Sequence, residues 1–282
     1  MAAGPENAPM LLQPTRAHGA SRPFAGALAW LSVPLVLAAC PRTASSVPAG
    51  SDPEKVARAE FDVARDELSH GRLRSAMEHA IKASDADENF SQAHTYVAQI
   101  YLALCQTEND CRFEDAEKYA RKGVAADPED RPAKLMLGVV LVNEKKYDEA
   151  IDLLRVLCED IVYKTPWLAW YNLGFAYGEK GDSDKAIDAE TRALALNPSF
   201  CLAHYRLGLV YEKRGESAKA NDEYTAGIDT CANLQAAFFG RGRVRTTIGQ
   251  KDRAREDYQS CVKLDPSTLD GRGCADALKG MP

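Results

Sequence analysis

The chain has 282 residues, 45% hydrophobic and 27% charged, a globular balance that lets most of it bury a core in one large domain or two small ones. A net charge of −6 argues against nucleic acid as a partner, because phosphate binding needs a basic excess. Eight cysteines exceed what a cytosolic protein of this size usually carries.

The first element is the uncharged run "FAGALAWLSVPLVLAA" from Phe24 to Ala39, preceded by Arg16 and Arg22. A spanning helix needs about 20 apolar residues; this run is shorter, contains Pro34 and gives way at once to polar sequence. A basic start, a short apolar stretch and small residues at its end are the layout of a secretory signal peptide. The ending Leu37-Ala38-Ala39-Cys40 resembles the lipobox of bacterial lipoproteins. That resemblance implies removal of residues 1–39 and acylation of Cys40, leaving a membrane-anchored protein. The polar stretch Met1 to Ser21 is longer than a compact signal, and an uncleaved anchor is the other reading of the segment. Pro41 stands where an Asp would hold such a lipoprotein at the inner membrane, so the implied location is the outer membrane, facing the periplasm. Residues 40–56, "CPRTASSVPAGSDPEKV", have no apolar period and read as a flexible tether behind the lipidated cysteine.

Beyond residue 54 the chain repeats itself. "WLAWYNLGFAYGEKGDSDKAIDAETRALALNPSF" is followed by "CLAHYRLGLVYEKRGESAKANDEYTAGIDTCANL". Gly174, Gly208 and Gly242 are spaced by 34, as are Ala186, Ala220 and Ala254. Small residues at these points let two helices of one unit approach closely. "GDSDKA", "GESAKA" and "GQKDRA" each put Gly where a helix can end in a left-handed cap. "NP" and "DP" then stop the second helix, since the residue before proline avoids helical geometry. The pattern resembles the tetratricopeptide repeat, a helix–turn–helix unit of this length. The resemblance implies an all-α, right-handed α-solenoid of about six helix hairpins. Their boundaries fall at 57–90, 91–130, 131–166, 167–200, 201–234 and 235–268, with residues 269–282 forming a capping helix over the last apolar face. The register carries six extra residues at the turn "CQTENDCRFED" and two before the fourth unit.

With Cys40 acylated, seven thiols remain in an oxidising compartment. Cys201 opens one helix of the fifth unit and Cys231 closes its partner, so the hairpin brings them together. Cys105 and Cys111 flank the enlarged turn, and Cys261 faces the cap that carries Cys274. The three pairs Cys105–Cys111, Cys201–Cys231 and Cys261–Cys274 are candidate disulfides; free core thiols are the other reading. Cys158 is left as a small buried hydrophobe.

Chemistry is sparse. The five histidines are scattered, with His94 and His204 at core-type positions. No His-Glu-x-x-His, Cys-x-x-Cys, phosphate loop or serine elbow is present, and "GRGRVR" at Arg241–Arg245 has the wrong glycine spacing for a phosphate site. The sequence therefore points away from an enzyme, from metals and cofactors and from a small-molecule substrate. In the resembled family, a fixed set of positions on each first helix lines the concave face. Here that set includes Leu135, Val139, Val142, Leu168, Tyr171, Phe175, Leu202, Tyr205, Leu209 and Phe239. An apolar strip of this kind suits an amphipathic helix or an extended apolar peptide, unless a tail, the cap or a second subunit covers it.

A lipid-anchored, disulfide-linked solenoid of six such units is similar to the pilotins of type IV pilus systems, the Tgl, PilF and PilW group. That resemblance implies a groove holding an apolar segment of an outer-membrane secretin subunit before it assembles, with the lipid holding both at the membrane. A lipoprotein adaptor for peptidoglycan enzymes, similar to NlpI, is the alternative, and a β-barrel assembly accessory is a third.

Overall fold

A computed structural model describes residues 52–281 of the chain; the signal segment, Cys40 and most of the expected tether lie outside them. Among the described residues there are thirteen helices and no strand. They form six hairpins: α1 (Pro53–Ser69) with α2 (Leu73–Ala86), α3 (Ser91–Glu108) with α4 (Phe113–Ala126), and α5 (Arg131–Asn143) with α6 (Tyr147–Glu159). The series continues with α7 (Pro166–Lys180) and α8 (Ser183–Leu196), α9 (Cys201–Lys213) and α10 (Ser217–Thr230), and α11 (Gln235–Thr247) and α12 (Lys251–Leu264). Helix α13 (Leu269–Lys279) closes the array, packing on both α12 and α11 and so filling the slot where the first helix of a further repeat would sit.

In repeats three to six the hairpins close because each first helix presents a glycine to its partner. A Cβ on Gly138, Gly174, Gly208 or Gly242 would press within 3 Å of Leu154, Glu190, Tyr224 and Tyr258 respectively, each sixteen residues further on. First helices of successive repeats also touch, α3 on α5, α5 on α7, α7 on α9 and α9 on α11, whereas second helices of neighbouring repeats meet at most marginally. The closer spacing on the first-helix side makes that wall the inside of the curve.

Repeat ends share one device. Asp87, Asp127, Asp160, Asn197 and Asp265 each accept a hydrogen bond from the backbone N–H two residues on, at 2.8–3.3 Å. These turns satisfy the polar groups left where helices α2, α4, α6, α8 and α12 stop. The matching position after α10 is Cys231, which lacks an acceptor side chain of this kind and is bonded instead to Cys201. A disulfide stands where the other repeats use an Asx turn.

Two details differ from the sequence reading and a third follows it. The tether does not run to residue 56: helix α1 begins at Pro53, because Asp52 caps it by accepting from Glu54 N–H and proline suits a first helical position. The six extra residues of the second repeat lengthen α3 by about a turn rather than enlarging a loop, and α3 ends at Asn109 in the left-handed region. The two extra residues before the fourth repeat do form loop, leaving Ile161 and Val162 exposed.

Candidate functional site

The inner wall is built by the first helices, and burial there is deeper than the spacing predicts. Leu135, Val139 and Val142 on α5 are at most 3% exposed, and Tyr171, Phe175 and Leu202 are buried as well. These six positions are a correction to the open strip expected from sequence. Their side chains are consumed by packing between successive first helices, α5 lying between α3 and α7. Leu168, Tyr205, Leu209 and Phe239 remain half-buried and form the accessible apolar part of the wall.

The wall changes character between α7 and α9, where the first helices touch less than they do at α3–α5, α5–α7 or α9–α11. One apolar core runs unbroken from Ala64 to Ala189, and beyond it the core divides into three smaller clusters. Polar groups fill the seam. The Arg206 guanidinium lies 3.6 Å from the centroid of the Phe175 ring, and its Nε donates to the Tyr171 hydroxyl at 3.3 Å. Glu190, 1% exposed, has no hydrogen-bond partner for either carboxyl oxygen among the described residues. Burial pushes its carboxyl well above the ordinary value, and the nearby Arg206 charge offsets this only in part.

Beside these residues a cavity of about 370 Å³ opens, walled by Gly174, Phe175, Glu190, Arg206, Leu209 and Val210. Its rim carries Glu179, Glu212, Lys213 and Arg243. Glu212 is held on two sides: Tyr224 donates its hydroxyl at 2.6 Å, and Arg243 donates through two nitrogens at 3.1 Å each. Burial, reinforced by Glu212, raises the Tyr224 phenol, so it stays protonated and donating. Arg243 also covers the Phe239 ring at 4.7 Å.

Reading the sequence for motifs missed Glu190. The signal was present in the register, since Leu154, Tyr224 and Tyr258 occupy the same place in repeats three, five and six. The "GRGRVR" arginines are ion-paired: Arg241 and Arg245 both hold the buried Asp257, and Arg243 holds Glu212. His94 is buried against the Glu88 carbonyl and His204 pairs with Glu223.

The structure bonds Cys105 to Cys111, Cys201 to Cys231 and Cys261 to Cys274, with Cα atoms 4.2, 5.9 and 6.3 Å apart. Cys158 is unbonded, and burial pushes its thiol up to about 12, which keeps it unreactive. Among the described residues no cluster of His, Cys, Asp and Glu could hold a metal ion, and no helix is long and apolar enough to cross a membrane.

Comparison with known proteins places the repeats. Models of the tetratricopeptide repeat match residues 112–161, 167–200 and 236–268. No curated protein sequence matches the chain significantly. Among solved structures, PilF of Pseudomonas aeruginosa superposes with a TM-score of 0.61 at 20% identity, covering 80% of this chain and 99% of that one. PilW, described as a widely conserved type IV pilus biogenesis factor, gives 0.67 at 18% identity, covering 77% and 97%. A chain of the APC/C hetero-tetramer Cut9–Hcn1 gives 0.66 at 18% identity, covering 79% of this chain but 42% of that one. At these identities the likeness is one of fold.

Proposed function

We propose that this tetratricopeptide-repeat protein, a scaffold for protein interaction, serves type IV pilus biogenesis as a lipid-anchored pilotin. In this reading Cys40 carries the acyl chains at the outer membrane, and the inner wall holds an apolar segment of a secretin subunit before its ring forms. Several chains on one residue anchor firmly where a single chain is marginal. The half-buried Leu168, Tyr205, Leu209 and Phe239 supply apolar contact along the curve, with Arg243 and Lys213 beside them for the polar parts of a peptide.

The observation that carries the reading is the extent of the match: nearly the whole of PilF and of PilW is spanned, 99% and 97% of those chains, with no large piece of either left over. The lipobox-like Cys40 adds a second, independent line of support.

Capture from detergent-solubilised envelopes tests it. Secretin subunits should co-purify with the wild-type chain and be lost with L168K/L209K, a variant that should keep its helical circular dichroism. Cys40→Ser should move the protein from the membrane fraction to the soluble one. Recovery of peptidoglycan hydrolases or synthases in place of secretin would overturn the pilotin reading in favour of an adaptor.

A further inference from the structure

The six hairpins stack side by side, so every first helix starts, and every second helix ends, along one edge of the array. Helix α1 starts on that edge at Pro53. Six turns of one plan make up the edge, each placing two exposed residues just past the end of a second helix. In five of them the pair is drawn from Pro, Ala, Ser, Asn and Glu, as in Glu88-Asn89, Pro128-Glu129 and Pro198-Ser199. In the sixth, between α6 and α7, the pair is Ile161-Val162, 99% and 65% exposed.

The turn itself asks for no apolar residue. Asp160 fixes it by accepting from the Val162 N–H at 2.8 Å, as Asp87 and Asp127 fix theirs, and the Ile161 side chain is left in solvent. Two branched apolar side chains at the tip of a turn are unfavourable in water and favourable at an apolar surface. Leu196, half exposed at the end of α8, adds a third on the same edge one repeat further on.

The point where the chain enters decides which surface that is. Cys40 lies twelve residues before Asp52, so the intervening chain spans at most about 40 Å. The α6–α7 turn is three repeats from the start of α1, roughly 30 Å along the edge at about 10 Å between touching helices. An acyl chain on Cys40 therefore keeps this turn within reach of the bilayer that holds the lipid. The opposite edge, with Gly181, Gly215 and Gly249, lies about 20 Å farther from the point of attachment. Charge near the turn is balanced: Asp160 pairs with Arg131 at 2.9 Å, and Glu159 is offset by Lys164. With no excess of base there, apolar insertion rather than attraction to anionic lipid drives the contact. The matching turns of the first two repeats carry Glu88 and Glu129, which favour water.

We propose that the Ile161-Val162 turn dips into the surface of the bilayer that carries the lipid anchor, as a second point of attachment. This rests on reading Cys40 as acylated. One point of attachment leaves the solenoid free to rotate about it; a second restricts that rotation, so the inner wall meets its client from a set direction.

Nitroxide quenching on vesicles tests the contact. Residues 40–282 carrying Cys40→Ser are held through an N-terminal histidine tag on vesicles of phosphatidylethanolamine, phosphatidylglycerol and a nickel-chelating lipid. A polarity-sensitive fluorophore is attached at Val162→Cys, Asn89→Cys or Glu129→Cys, the matching positions of three turns. Cys158, half-buried with its thiol pushed up to about 12, does not compete for the label. The probe at 162 should shift to the blue. Its quenching by lipid-borne nitroxide should be at least about threefold that of the other two, although they lie nearer the tag, because an interfacial side chain enters about 5–10 Å. Ile161→Ser should bring it down to their level, and added salt should leave it unchanged. All the altered side chains are exposed, so circular dichroism should be the same for every variant. The proposal is overturned if the probe at 162 is quenched no more than the others, or if Ile161→Ser changes nothing. A response only to protein concentration, marking a second copy as the occupant, or only to added secretin, marking the client, overturns it as well. The tag supplies the attachment in this measurement, so a native chain found in the soluble fraction would fault the acylated Cys40 and not the dipping turn.

Discussion

At Glu190 the chain tolerates a local loss of stability whose sign with pH can be worked out. The folded state holds this carboxyl well above its ordinary value of 4.5, so between those two pH values the folded protein binds a proton that the unfolded chain has released. Stability from this group therefore falls as pH rises from the ordinary glutamate value toward the folded one. Glu190→Leu removes both the titration and the unpartnered carboxyl. It should raise stability by about 1–3 kcal/mol at pH 7, and by less near pH 4, in paired urea melts. Equal gains at both pH values would show that the carboxyl is not the source. The same residue marks a limit of reading by pattern. Gly174 announces a close-packed partner sixteen residues later, and in repeats three, five and six that partner is Leu or Tyr, so only comparing the repeats with one another exposes the acid. The buried state of Tyr171 and Phe175 was illegible for a related reason: helical spacing places them on the inner face but says nothing of how tightly neighbouring first helices close over them.

Turns and helix ends were the most legible elements, because their chemistry is local. Gly181, Gly215 and Gly249 all end a first helix with positive φ, as "GDSDKA", "GESAKA" and "GQKDRA" require. In the third repeat the equivalent residue is Lys145, held at φ 63°. A side chain in the left-handed region costs about 1 kcal/mol relative to glycine. Lys145→Gly should accordingly raise the midpoint of thermal unfolding by several degrees, which calorimetry will read; an unchanged or lower midpoint would mean that the lysine side chain contributes more than its backbone costs. Insertions were less legible. Their length is visible in the register, but whether they extend a helix, as in α3, or a loop, as before α7, depends on the neighbouring caps: Asn109 takes up a left-handed end only after the additional turn, whereas Asp160 stops α6 at once.

Over the whole molecule the two halves are held differently. Repeats one to four share a continuous apolar core, while repeats five and six and the cap rely on smaller clusters, two of which sit beside disulfides. Closing the 30-residue separation between Cys201 and Cys231 contributes roughly 3–4 kcal/mol in the chain-entropy account. Hydrogen exchange under reducing conditions should thus deprotect α9–α13 well before α5–α7, with near-simultaneous exchange of both halves when the bonds are intact; uniform loss after reduction would contradict a division of stability at the α7–α9 seam. The all-helical architecture and the six hairpins were plain in the sequence because the 34-residue spacing is itself the fold, whereas the unequal halves emerge only once side chains are packed. Helix α13 has a consequence of its own. It lies in the berth that a seventh module would need, and Cys274 bolts it to Cys261 of α12. That end of the array is shut to the stacking of a further repeat on α12, so an added module could dock there only after the Cys261–Cys274 bond is broken and α13 is moved aside.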